Sequence, residues 1–198
     1  EKRRVSASFG LYDPICGIDG ISPDTAPMEY GCNGAGDFRV SALSVRNHNG
    51  DSTTDIRYAS HRIYPGKKKI PGMPTTYVNA DNEADTLEID AVDAVTGIRI
   101  TLFYTVFHDL GVMTRRVRAV NCSQYPCHLE RVLSLCMDIP SMDFDLITLH
   151  GRHNNERNYC RRPLVRGLQG VESKQGSSSH NHNPFAAIVQ CSANEEYG

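Results

Sequence analysis

Tryptophan is absent from the 198 residues, which removes the indole ring on which sugar sites often stack an apolar ligand face. No apolar run approaches the roughly 20 residues a bilayer-spanning helix needs. Glu1-Lys2-Arg3-Arg4 is not followed by the apolar segment of a signal peptide, and the compartment stays open. An excess of one charge is missing too. Lys plus Arg is 21 against 23 for Asp plus Glu, a net charge of −2, so neither nucleic acid nor an anionic membrane is expected as a partner. No window keeps a helical period between two caps. The seven cysteines are odd in number and irregularly spaced, which argues against a closed disulfide framework. Cys122 and Cys127 flank a Pro-containing turn, and whether they join across a hairpin is left open, as is the glycosylation sequon Asn121-Cys122-Ser123.

What is present is strand pattern. Pro14, Gly17, Gly20, Pro23 and Pro27 punctuate an irregular start. Phe38 to Arg46 then reads as a strand, and Thr54 to Tyr64 as its hairpin partner across Asn49-Gly50. The run Lys67-Lys68-Lys69 sits between two Pro-Gly pairs and reads as a solvated loop. In Thr86 to Asp90 the aliphatics Leu87 and Ile89 alternate with Glu88 and Asp90, which places the acids outward. Ile98, Ile100, Leu102, Tyr104 and Val106 share one face of the next strand. Val112 to Val120 pairs back on it, and Cys127 to Asp138 continues the meander. Further strands are expected at Phe144 to His150, near Leu168 to Glu172, and at Phe185 to Cys191. The class is all-β, with antiparallel sheets facing each other across an aliphatic core.

Several residue groups invite chemistry. Asp143 and Asp145 fall on one side of a strand, where two carboxylates suit acid/base work, or else a pairing with Arg161 and Arg162. His150, His153, His180 and His182 suggest a metal, but a zinc site needs three or four converging ligands and no Cys-x-x-Cys accompanies them. No metal is expected. Ser177 to Ser179 beside His180 lack the carboxylate and oxyanion hole that a triad needs. Cys136, between Leu135 and Met137, reads as a small core residue. Arg39, Arg57, Arg62, Arg115, Arg116, Arg152, Arg161 and Arg162 are many for a β-domain. They suit either bidentate interface pairing or solubilising strand faces, and both readings stay open.

A resemblance then emerges. Its residues are Gly36-Asp37-Phe38-Arg39, Thr54-Asp55-Ile56-Arg57-Tyr58 and Ser60-His61-Arg62-Ile63-Tyr64, followed by Pro74-Thr75-Thr76-Tyr77-Val78 and Glu83-Ala84-Asp85-Thr86-Leu87-Glu88-Ile89. It continues through Ser141-Met142-Asp143-Phe144-Asp145, Arg161-Arg162-Pro163-Leu164 and Glu172-Ser173 to the segment from Gly176 to Phe185. In this order they resemble the N-terminal domain of family 36 α-galactosidases.

The resemblance implies a β-supersandwich of galactose-mutarotase-like type, two large antiparallel sheets packed face to face, here truncated at both ends. It implies a non-catalytic domain across 1–198 that packs on a catalytic (β/α)₈ barrel absent from this chain and supports homo-oligomer contacts. The whole enzyme would retain configuration while hydrolysing terminal α-D-galactosides such as melibiose and raffinose. A barrel takes about 250 residues, and the family's Lys-Trp-Asp and Ser-Asp-Asn contexts do not occur here. No catalytic residue and no cofactor are expected in this chain, and the substrate-binding residues are unknown. Glu1 in place of Met reads as a chain that is processed or cut from something longer. The competing readings are a free-standing carbohydrate-binding module and a raffinose-synthase-like transferase.

Overall fold

The computed structural model describes residues 28–34, 38–139, 143–173 and 181–196. The irregular start before Met28, with Cys16, lies outside them. So do Ser177 to Ser179, His180, Gly36-Asp37 and Ser141-Met142. The chain divides into two compact units, Glu1–Asp138 and Ile139–Gly198. All regular structure in the described residues is strand, apart from one 3-10 turn at Asp81–Glu83, and every ladder between strands is antiparallel. The all-β, antiparallel class read from the sequence is the class observed.

In the first unit, β1 (Leu43–Arg46), β2 (Arg57–Pro65), β3 (Ala84–Val92), β4 (Ile98–Phe107), β5 (Val112–Asn121) and β6 (His128–Val132) form two sheets. One is four-stranded in the order β2-β3-β4-β5, and the other pairs β1 with β6. The β3–β4 ladder runs unbroken from Ala84↔Phe107 to Val92↔Arg99. Its turn is set by Asp93, whose carboxylate accepts the Val95 and Thr96 amides at 2.8 and 3.2 Å, and by Gly97 at φ 74°. The β4–β5 hairpin closes around Gly111 at φ 58°. Both hairpins match the sequence reading.

The expected first hairpin does not form. Only Leu43–Arg46 is strand, and it pairs with β6, whereas β2 pairs with β3. The turn itself is made, with the Gly50 amide on the Asn47 carbonyl at 2.9 Å. The Asn47 amide group then holds Asp51 Oδ1 and the Thr53 carbonyl, and the Thr54 amide goes to Asn33. Side-chain hydrogen bonds thus compete successfully with the ladder. The meander also ends at β5, because β6 leaves for β1, and Cys127 to Asp138 yields only a five-residue strand.

The core of this unit lies on one face of the four-stranded sheet. Ile98, Ile100 and Leu102 pack there with Leu43, Val45, Ile56, Tyr30 and Cys32, all buried. Toward the other end of the same face the cover stops. The cross-strand neighbours Val106 and Met113 are 48% and 56% exposed, and Ile63 is also exposed.

In the second unit, β7 (Phe144–Arg152) is flanked by β8 (Asn155–Pro163) and β9 (His182–Gln190). No strand forms near Leu168 to Glu172. The strand is instead the polar stretch Asn155–Pro163, entered by a tight turn with Asn154 at φ 62°. Asn tolerates that conformation, and the ladder with β7 supplies the pairing that this strand's apolar content does not.

Candidate functional site

Asp145 is committed within the fold. Its Oδ2 accepts from Arg161 Nε at 2.6 Å, and the same guanidinium donates to the carbonyls of Gln190, Cys191 and Ala193. Arg161 therefore ties β7, β8 and the chain after β9 together, while Asp143 is exposed just before β7. Arg152 and Arg162 are exposed. His150 and His182 are register partners on β7 and β9, with rings edge-to-face at 5.9 Å, and His150 Nε2 lies 2.8 Å from the Thr148 hydroxyl. His153 lies in the β7–β8 turn. Among the described residues no three His, Cys, Asp or Glu side chains converge to hold a metal.

The described cysteines are all free, Cys122 and Cys127 included. β5 ends before Cys122 and β6 leaves for β1, so the two do not face each other across a ladder. Burial, followed by the charges of Asp93 and Asp55, pushes the Cys32 thiol up to about 12. Burial likewise raises Cys136, which packs against the core.

Five of the described arginines in the first unit, Arg39, Arg46, Arg57, Arg62 and Arg115, face carboxylates of their own unit. Arg39 meets Asp138 at 3.1 Å and Arg57 meets Asp55 at 2.7 Å. Arg62 bonds Glu88. Arg115 is the most enclosed, paired with Glu29 at 2.8 Å with side chains only 8% and 14% exposed. It also donates to the carbonyls of Glu29 and Cys136, and its guanidinium lies over the Tyr104 ring. Tyr104 in turn donates its hydroxyl to Glu29, and burial together with that carboxylate pushes its pKa above the usual phenol range. The knot joins the 28–34 segment, β4, β5 and the 133–138 segment.

Glu88 and Glu29 are the residues that sequence reasoning missed. Alternation along β3 placed Glu88 outward, yet it is 6% exposed. The available signal was in β4, where Thr101, Leu102 and Phe103 are buried in succession. A strand covered on both faces loses its alternation, and so does its neighbour. Lys67, placed in a solvated loop, is half-buried and bonds Thr75 Oγ1 at 2.7 Å and the Thr76 carbonyl at 2.8 Å.

Two of the buried acids carry a pH signature. Burial alone would raise Asp93 and Glu88. Backbone amides of Asp55, Val95 and Thr96 reverse this for Asp93, and the Arg62 guanidinium with Lys68 reverses it for Glu88, so both carboxyls sit below their ordinary values. A depressed carboxyl contributes stability above its unfolded pKa, near 4, and loses it as pH falls toward the folded value. Thermal melts between pH 6 and pH 3 should show a steep fall below about pH 4.5. Asp93→Asn and Glu88→Gln should each flatten that slope. An unchanged slope in both would remove these two acids as its cause.

The model of the glycosyl hydrolase family 36 N-terminal domain matches residues 4–198. An α-galactosidase of Geobacillus stearothermophilus, AgaA, is 45% identical over 178 residues, which is 90% of this chain and 24% of that protein. An α-galactosidase of Lactobacillus acidophilus is 37% identical over the same shares. The crystal structure of the Geobacillus AgaA enzyme superposes with a TM-score of 0.88 at 43% identity, covering 97% of this chain and 27% of that one. The α-galactosidase of Lactobacillus brevis gives 0.85 at 31% identity, covering 97% and 25%. The chain thus spans about a quarter of the length of the relatives it matches. It belongs to glycosyl hydrolase family 36, as the N-terminal domain of that family's α-galactosidases.

Proposed function

We propose that this chain is a non-catalytic scaffold of an α-galactosidase, packing against the enzyme's catalytic barrel and supporting contacts between subunits. The observation that carries this reading is the half-covered core face. Ile98, Ile100 and Leu102 are sealed, while Ile63, Val106 and Met113 on the same face stand open. Among the described residues β5 is also an unpaired edge of ten residues. Bare apolar surface beside a free strand edge is costly in water and invites further protein. The carboxylates near arginines serve the fold, since Asp145, Glu88 and Glu29 are each held by a guanidinium. On this reading the whole enzyme hydrolyses terminal α-galactosides, and the chemistry resides in the barrel.

Assaying the purified chain with p-nitrophenyl α-galactoside should give no hydrolysis above the buffer rate. Exchanging the corresponding N-terminal quarter of the Geobacillus enzyme for this chain should give a soluble, active hybrid. Mutation-sensitive hydrolysis by the chain alone would overturn the scaffold reading. Saturable binding of raffinose by the chain in a calorimeter would favour a carbohydrate-binding module instead.

A further inference from the structure

The face of the four-stranded sheet opposite the core is polar in ordered rows. Ser60, Asp90, Thr101 and Arg118 are cross-strand neighbours, then Arg62, Glu88, Phe103 and Arg116, then Tyr64, Thr86, Thr105 and Thr114. The loop after β2 folds over the last two rows. It is anchored by Gly66, whose carbonyl accepts from the buried Thr86 hydroxyl at 2.7 Å and whose φ is 78°. Between loop and sheet lies a cleft of about 250 Å³ lined by Lys67, Lys68, Tyr64, Phe103, Thr114 and Arg116, among others.

Four basic residues line this cleft, and one of them, Arg115, pairs its guanidinium with Glu29. Among the described residues Lys67, Lys68 and Arg116 form no salt bridge, and the carboxylate buried nearby, Glu88, is bonded through one oxygen by Arg62 and also feels the charge of Lys68. Burial, then the facing charge of Arg116, pulls the Lys67 ammonium below its ordinary value. The aromatic rings are not free to stack a sugar. Arg116 covers Phe103 at 3.6 Å from its centroid, and Lys68 covers Tyr64 at 4.5 Å. Those contacts fix the cations over the cleft. Lys67 spends two of its three donors on the Thr75 hydroxyl and the Thr76 carbonyl, which leaves one for a ligand.

We propose that this cleft binds a phosphate-class oxyanion, held by the ammoniums of Lys67 and Lys68, the guanidinium of Arg116 and the hydroxyl of Thr114. Three cations beside one carboxylate that Arg62 already bonds suit a group that carries roughly two negative charges at neutral pH better than a single carboxylate. Arg contributes a planar fork and each Lys a point charge, the division of labour usual at phosphate oxygens. The site is independent of the scaffold reading, because its residues lie on the sheet face away from the bare apolar patch.

Titration of the protein with sodium phosphate at fixed ionic strength, followed by calorimetry and phosphorus NMR, tests it. Phosphate should saturate a single site. Lys68→Met and Arg116→Met should each weaken binding about tenfold or more, whereas Lys69→Met, an equal charge change on an exposed neighbour, should leave it unchanged. If Arg116→Met fails to fold, the exposed Lys68 carries the test, with its melting temperature as the check on integrity. A hexose 6-phosphate titrated in parallel distinguishes the sources: tighter binding than free phosphate assigns a sugar phosphate, and equal binding assigns the free ion. Acetate bound as tightly as phosphate, equal losses in the Lys68 and Lys69 variants, or intact binding in a folded Lys68→Met protein would each overturn the proposal.

Discussion

Replacing Arg115 by Met should cost about 3–5 kcal/mol of stability, the range found when one partner of a buried ion pair is removed. Methionine keeps the length and most of the packing, so the loss isolates the charge. Glu29 would be left 14% exposed with its counter-ion gone, and two carbonyls, those of Glu29 and Cys136, would lose their donors. Since domains are stable by only about 5–15 kcal/mol, the variant should unfold at a much lower urea concentration than the parent. The double replacement Glu29→Met with Arg115→Met removes both charges. It should recover part of the loss, because a buried pair replaced by apolar groups is often neutral. Tyr104→Phe deletes only the hydroxyl that reaches Glu29 and should cost about 1 kcal/mol. A single-variant loss under about 1 kcal/mol would show that this knot is screened by solvent like an exposed pair.

The residues that made the fold legible are local ones. Asp93 to Gly97 and His108 to Gly111 are tight turns between strands of matching length, so β3, β4 and β5 could be read with their pairing. Pairing at long sequence separation could not. β1 and β6 lie more than 80 residues apart, and nothing in Leu43–Arg46 favours β6 over the nearer β2. The choice was made by side chains that pattern does not weigh, chiefly Asn47 turning its amide to Asp51 and Thr53. β8 was missed for a related reason. Asn155–Pro163 carries few apolar residues, and its strand depends on the β7 ladder and on Arg161. The candidate site was legible only in part. The arginines were visible as a surplus, but which acid each would meet is a property of register. Arg62 lies opposite Glu88, and Phe103 opposite Arg116, only once β2 through β5 are aligned. The lysine run looked solvated because Pro65-Gly66 and Pro71-Gly72 mark a loop, and sequence does not say that the loop folds back over the sheet.

Two substitutions on β4 test where the domain ends and its surroundings begin. Leu102→Ala should cost about 2–5 kcal/mol, since Leu102 is wholly buried between Ile89 and Val117 and a rigid sheet does not collapse into the void. Val106→Ala, four residues along the same face, should cost well under about 1 kcal/mol in this chain because the side chain is already half in water. If the bare end of the face is where the rest of an α-galactosidase packs, the two should converge in the whole enzyme. There Val106→Ala would remove two buried carbons at about 0.8 kcal/mol each, while Leu102→Ala keeps its cost. Urea unfolding of both variants, in the chain and in the Geobacillus hybrid, makes the comparison. A Val106→Ala cost that rises to about 1.6 kcal/mol in the hybrid places this patch inside the assembled enzyme. A cost that stays near zero leaves the patch facing water there, and the scaffold must then dock through another surface.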